Sequence, residues 1–357
     1  MDLFSPVSLG DLHLPNRVVM APLTRTRAGE AGIPGPLVAQ HYAQRASVGM
    51  IISEGTYPSH ESRAYPGQPG IVTDEQIAGW RAVADAVHAR GGRIVMQLMH
   101  GGRVSHPLIT GTERIVAPSA VPIDGETRTT TGKVAYPVPH ALTAEELATV
   151  RDEFVAAARN AIAAGFDGVE VHGANGYLLH QFLSPVSNIR DDEYGGSPEA
   201  RARFVVEVVG AIAAAVGAGR VGIRLSPMHN IQDVLETDPA DATATYRAVV
   251  DGIAPLGLAY VSVLHREPTG ELVQDLRQRF GGPFIVNSGF GSITTRDEAI
   301  SLVEDAHADA VAVGRLAIAN PDLVERWKGE HPENQPNPAT FYGNGAEGYT
   351  DYPRLSA

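Results

Sequence analysis

Eight times along this chain a short apolar run is followed by a segment with the spacing of a helix, and few folds accept that rhythm. The apolar runs are Arg17–Ala21, Gly49–Ser53, Arg93–Leu98, Gly168–Val171, Arg220–Leu225, Ala259–Leu264, Pro283–Val286 and Ala310–Val313. None alternates polar with apolar, so each reads as a strand buried on both faces, which is the signature of a parallel sheet. Between them, Thr73-Asp-Glu-Gln76 and Thr143-Ala-Glu-Glu146 are capping boxes opening helices. Further helices are expected over Pro36–Ala46, Pro198–Val216, Asp241–Leu256, Val273–Phe280, Thr294–Glu304 and Pro321–Lys328. Eight such units predict an α/β fold, a single (β/α)8 barrel. An open doubly wound sheet is the alternative, but the first strand runs into Pro22-Leu-Thr24 and not into a glycine-rich dinucleotide loop.

The barrel is expected to span residues 1–357 as one domain with three additions. Residues 3–16 read as a hairpin turning at Gly10-Asp11 and plugging one end. Residues 101–140, rich in proline, glycine and threonine, read as an excursion folded over the mouth, and residues 330–357 as a C-terminal extension.

Composition removes several classes of function. The formal net charge is −13 with scattered basic residues, so no nucleic acid or anionic membrane partner is expected. There is no cysteine, hence no disulfide, thiol nucleophile or cysteine-held cluster. No signal-peptide pattern and no long apolar run is present, and a cytoplasmic protein, monomeric or a small homo-oligomer, is expected.

In a barrel of this kind the residues just past each strand face the active site. Here they include Pro22, Thr24, Gly55, Gln97, His172, Asn175, Tyr177, Arg224, Arg266, Ser288, Gly289, Gly314 and Arg315. They hold no carboxylate cluster, so no metal is expected. If the chain after His172 coils helically, His172 and Asn175 share a face and can donate to one oxygen, with the Tyr177 phenol nearby as an acid. The alternative is that they only cap a strand end. Asn287-Ser-Gly-Phe-Gly-Ser292 and Gly314-Arg315 suit a phosphate, and the same pattern could equally be a tight turn closing the barrel. With Gln97 and Thr24 as uncharged hydrogen-bonders and Arg224 as a buried cation, flavin mononucleotide (FMN) would fit. A lyase or isomerase acting on a phosphorylated metabolite remains the alternative.

Along nearly its whole length the chain also resembles the Old Yellow Enzyme family of FMN-dependent ene reductases. The matching stretches are Asn16–Arg25, Gln97-Leu-Met-His-Gly-Gly-Arg103, His172–Pro185, Asp192–Ser197 and Phe341–Pro353. The resemblance implies that Pro22, Thr24, Gly55, Gln97, Arg224, Ser288, Gly289, Gly314 and Arg315 hold FMN. It implies that His172 and Asn175 bind the carbonyl or nitro oxygen of an activated alkene and that Tyr177 donates the proton, with NADH or NADPH as reductant in a ping-pong cycle. It further implies that Tyr65, Met99, Arg266 and Tyr349 shape the substrate pocket. Met99 departs from the pattern, standing where several relatives have tryptophan, so a differently shaped pocket is expected.

Overall fold

The computed structural model describes residues 1–355; of the expected C-terminal extension, Ser356 and Ala357 lie outside the described residues. Eight parallel strands close into a barrel in chain order: β1 (Val18–Met20), β2 (Met50–Ile52), β3 (Ile94–Leu98), β4 (Gly168–Gly173), β5 (Val221–Leu225), β6 (Tyr260–Leu264), β7 (Phe284–Asn287) and β8 (Ala310–Val313). Closure is made where Val18 of β1 pairs with Val311 of β8. The ring of helices is α1 (Pro36–Gln44), α2 (Asp74–His88), α3 (Ala144–Ala163), α4 (Pro198–Val216), α5 (Pro239–Ile253), α6 (Glu271–Phe280), α7 (Arg296–Glu304) and α8 (Leu323–Lys328).

Both capping boxes form: Thr73 and Thr143 each accept from the backbone three residues on, while Gln76 and Glu146 reach back. The expected Asp241–Leu256 helix begins earlier, at Pro239, because the Asp238 carboxylate caps the amides of Ala240 and Asp241. It also stops earlier, passing into a 3-10 turn over Ala254–Leu256.

Side chains alternate across each strand, and the inside of the barrel is layered as a result. Outward residues such as Val169, Val171, Ile223 and Val263 pack against the helices in the main core. Inward residues near the strand starts, among them Val19, Met50, Val95, Tyr260 and Ile285, form a separate apolar layer. The strands of residues Val7–Leu9 and Leu12–Leu14 form the expected hairpin, and its Leu9, Leu12 and Leu14 join this inner layer as a floor. Each such leucine contributes roughly 2 kcal/mol through burial. One step further along the strands the inward positions turn polar: Gln97, Glu170, Arg224, Ser262 and Asn287, all buried.

The 101–140 excursion contains an antiparallel hairpin, Glu126–Thr129 with Gly132–Ala135, whose Arg128, Thr129, Thr130 and Lys133 reach the mouth. The C-terminal segment returns across the first βα loop. There Arg25 donates to the Phe341 and Gly348 carbonyls, Arg27 to those of Thr340 and Gly345, and His41 and Arg45 contact that of Tyr349.

Candidate active site

At the C-terminal ends of the strands lies a cavity of about 1160 Å³. The structure brings Pro22, Thr24, Tyr65, Gln97, Met99, His172, Asn175, Tyr177, Arg224, Gly289, Gly314 and Arg315 onto its wall. Four expected residues do not line it. Tyr349 is fully buried elsewhere, its ring stacked 3.9 Å from that of His41 and beneath Arg25 and Arg27, so its assignment to the substrate pocket is corrected. Phe341, Tyr342 and Asn344 of the same segment form the wall instead. Arg266 is likewise corrected: its side chain is 85% exposed and pairs with Glu267. Gly55 and Ser288 stand behind the wall. A Cβ on Gly55 would lie 2.5 Å from Met99 Sδ, and the Ser288 hydroxyl is bonded to that of Thr294 at 2.9 Å.

The floor is a polar chain. Glu170 and Gln97 sit opposite each other in the β3–β4 register, and Gln97 Nε2 donates to Glu170 Oε1 at 2.8 Å. A carboxylate only accepts, so this bond fixes which end of the Gln97 amide is nitrogen. The same nitrogen lies 3.3 Å from His172 Nδ1, which must therefore accept, leaving the imidazole proton on Nε2. Burial and the nearby Arg224 guanidinium hold the His172 pKa well below its ordinary value, so the ring is a neutral donor. Tyr260 closes the chain by donating to Glu170 Oε2 at 3.1 Å. Its ring fits inside the barrel because residue 222 is glycine, where a Cβ would meet that ring at 2.3 Å.

Glu170 was not anticipated as a site residue. A carboxylate in the middle of a doubly apolar strand was the available signal, since burial pushes its pKa up and only a partner makes it tolerable. Gln97 and Tyr260 are the bonded partners, and the charge of the buried Arg224 guanidinium favours the carboxylate; Arg224 itself makes only weak contacts, to Ser262 at 3.5 Å and Asn287 at 3.4 Å. Gln232, from a loop, and Arg128 and Lys133, from the excursion hairpin, also reach the cavity.

The convergence of His172 and Asn175 has a different cause from the expected helical coiling. Strand β4 continues to Gly173, and Asn175 then adopts a left-handed conformation (φ 57°) followed by Gly176 (φ 82°). The next helix begins only at Leu178. The turn, not a helix, returns Tyr177 to the same wall, its ring 5.2 Å from that of His172. Burial raises the Tyr177 pKa to about 12 against a lowering by its bond from Tyr65.

The residues present suit FMN. Among the described residues, Arg224 Nε and Asn175 Oδ1 are buried without a partner, and of the side-chain atoms so left they are the two that belong to residues on the cavity wall. At the opposite rim Gly289 (φ 95°) and Gly314 have nothing closer than 3.6 Å to a would-be Cβ, so their backbone opens on the cavity. Arg315 stands beside them, tied to the Phe290 carbonyl at 2.9 Å and to that of Ser292. Together these give an anion-seeking rim, an uncharged flank at Thr24 and Gln97, and a cationic floor.

A parallel barrel with such a mouth is that of a flavin-dependent oxidoreductase. The chain belongs to the NADH:flavin oxidoreductase / NADH oxidase family, whose sequence model matches residues 2–334. It is 44% identical over 360 residues, 98% of this chain and 97% of the other, to a probable flavin mononucleotide-dependent alkene reductase of Leishmania infantum. Rice (Oryza sativa subsp. japonica) 12-oxophytodienoate reductase 1 is 41% identical over 99% of this chain and 93% of its own. Among solved structures, an Old Yellow Enzyme homologue from Zymomonas mobilis superposes with a TM-score of 0.94 at 37% identity, covering 99% of this chain and 100% of that one. Morphinone reductase in complex with tetrahydroNAD gives 0.93 at 44% identity, covering 100% and 98%. The chain is an FMN enzyme of this family.

Proposed function

We propose that the protein is an NAD(P)H-dependent ene reductase acting on alkenes conjugated to a carbonyl or nitro group. The observation that carries this reading is one wall bearing a neutral His172 donor, the Asn175 amide and a protonated Tyr177 opposite the anion-seeking rim. The alkene reductase and 12-oxophytodienoate reductase names of the relatives support it.

FMN, when bound against Thr24, Gln97, Arg224, Gly289, Gly314 and Arg315, supplies the hydride that passes from the nicotinamide to the alkene β-carbon. Every other step belongs to the chain. His172 Nε2–H and the Asn175 side-chain amide donate to the activating oxygen and stabilise the negative charge that grows there. The Tyr177 phenol gives its proton to the α-carbon, and Tyr65, hydrogen-bonded to it, keeps that hydroxyl in place. With the hairpin leucines closing the barrel floor, the mouth is the entry for both substrates, which supports the ping-pong order. Arg128 and Lys133 on the rim suit the additional phosphate of NADPH, the reductant we favour. We place the enzyme in the cytoplasm, as a monomer or small homo-oligomer; fractionation and sedimentation test these two points.

The first experiment is a visible spectrum of the purified protein, followed by anaerobic NADPH and then 2-cyclohexenone in one cuvette. A yellow protein that bleaches and then recovers supports both half-reactions. A yellow protein that bleaches without recovering removes the alkene, and a colourless one that FMN does not reconstitute returns the barrel to phosphorylated-metabolite chemistry.

A further inference from the structure

The turn between Asn175 and Tyr177 is held in an unusual way. Two successive residues, Asn175 and Gly176, are left-handed, a conformation that costs a non-glycine residue about 1 kcal/mol or more. All four of their backbone polar groups are taken by side chains. The Asn175 amide donates to Ser226 Oγ at 2.9 Å and its carbonyl accepts from Gln232 Nε2 at 2.9 Å. The Gly176 amide donates to His180 Nδ1 at 2.9 Å and its carbonyl accepts from Gln181 Nε2 at 2.8 Å.

His180 is the member of this set with a second layer behind it. It is fully buried, and its Nε2 lies 3.2 Å from Glu236 Oε1 and 2.9 Å from the Tyr246 hydroxyl. That hydroxyl donates to Glu236 at 2.9 Å, and the other Glu236 oxygen accepts from the Met228 amide at 2.6 Å. Because the Gly176 N–H can only donate, Nδ1 must carry a lone pair and the ring proton must sit on Nε2, facing the carboxylate. The Glu236–Tyr246 pair thus locks one tautomer, and that tautomer is the one able to hold the turn. None of these groups reaches the cavity wall.

We infer that His180 is a positioning residue, which through the Gly176 amide sets the left-handed turn that aims the Asn175 amide and the Tyr177 phenol at the same substrate. This rests on the ene-reductase reading, in which Tyr177 is used in the alkene step and not in the nicotinamide step. The ring also explains why helix Leu178–Leu183 starts where it does: its third residue folds back to receive an amide from the turn before it.

Asparagine places Oδ1 where histidine has Nδ1, so His180→Asn retains an acceptor for Gly176, whereas His180→Leu does not. In stopped-flow measurements on the FMN-loaded enzyme, His180→Leu is expected to slow reoxidation by 2-cyclohexenone at least about tenfold, with reduction by NADPH changed less than roughly threefold. His180→Asn is expected to recover most of the lost rate. Equal slowing of both half-reactions, or no recovery by asparagine, overturns the inference. The second readout is the ¹⁵N spectrum of the wild-type holoprotein, in which the His180 ring should show a bare Nδ1 and a protonated Nε2. A protonated Nδ1 overturns the inference even where His180→Leu fails to fold. If wild-type enzyme is not reoxidised by the alkene, the ene-reductase reading fails by itself, and the ¹⁵N result still decides whether His180 holds the turn.

Discussion

The phenol oxygens of Tyr65 and Tyr177 lie 2.9 Å apart with their rings nearly perpendicular, joining the loop after β2 to the turn after β4. The bond lowers the Tyr177 pKa against the larger upward push of burial. Removing it makes Tyr177 a weaker acid. Tyr65→Phe is therefore expected to slow the alkene half-reaction several-fold, and Tyr177→Phe by about a hundredfold, while reduction by the nicotinamide changes little in either. With a pKa of about 12 the phenol remains protonated through neutral and mildly alkaline pH, so the alkene step should be flat there and fall only in strong base. Stopped-flow pH profiles check both points.

Met99 is buried against Tyr177, Ala64 and Val104, with Gly55 directly behind its sulfur. Met99→Trp is expected to alter product ratios on prochiral alkenes without lowering FMN content. Gly55→Ala should do the same more mildly, since its new methyl displaces the flexible thioether and not backbone. Chiral chromatography together with the flavin absorbance ratio measures this; unchanged ratios in both variants would remove Met99 from the substrate wall.

Tyr349 provides a control for the corrected pocket. Its hydroxyl is buried without a partner, so Tyr349→Phe should leave the kinetics unchanged and stability equal or slightly higher. Tyr349→Ala removes a stacked, fully buried ring and is expected to cost roughly 3–5 kcal/mol in denaturant unfolding. A changed KM for the alkene in Tyr349→Phe would put the residue back at the site.

Three buried histidines set the acid limb of stability. Burial holds His41 and His172 well below their ordinary pKa, and His100 at about 3. Their folded values lie below the unfolded value of about 6.5, so as pH falls through that value the unfolded chain binds protons that the folded one does not. Stability should decline below about pH 6.5, by up to roughly 1.4 kcal/mol per pH unit for each group. Glu54 and Glu170, raised by burial, act in the opposite sense at lower pH. Denaturant titrations between about pH 5 and pH 7 should show a shallower slope in His100→Gln than in wild type.

The barrel was legible because its information is local. Doubly apolar strands and capping boxes such as Thr73–Gln76 report on themselves. The wall of His172, Asn175 and Tyr177 was legible as a group but not in its geometry. A left-handed asparagine leaves little trace in sequence, and two of the four side chains bonded to the turn, Ser226 and Gln232, come from far along the chain. Tyr349 was misplaced for a similar reason: a tyrosine in a loop does not reveal that Arg25, Arg27 and His41 will enclose it. Glu170 was visible in the β4 run and needed only the question of what a carboxylate does inside a barrel.

The return of residues 340–350 over Arg25 and Arg27 has a consequence for how the protein is made. On the ribosome strands β1 to β7 can each find a neighbour as they emerge, but β1 waits for β8, and the wall built by Phe341, Tyr342 and Asn344 arrives later still. A nascent chain therefore carries an unfinished flavin cradle until Phe341, Tyr342 and Asn344 have docked. Prosthetic-group capture should follow the docking of that segment, and chains cut short before residue 340 should accumulate without colour.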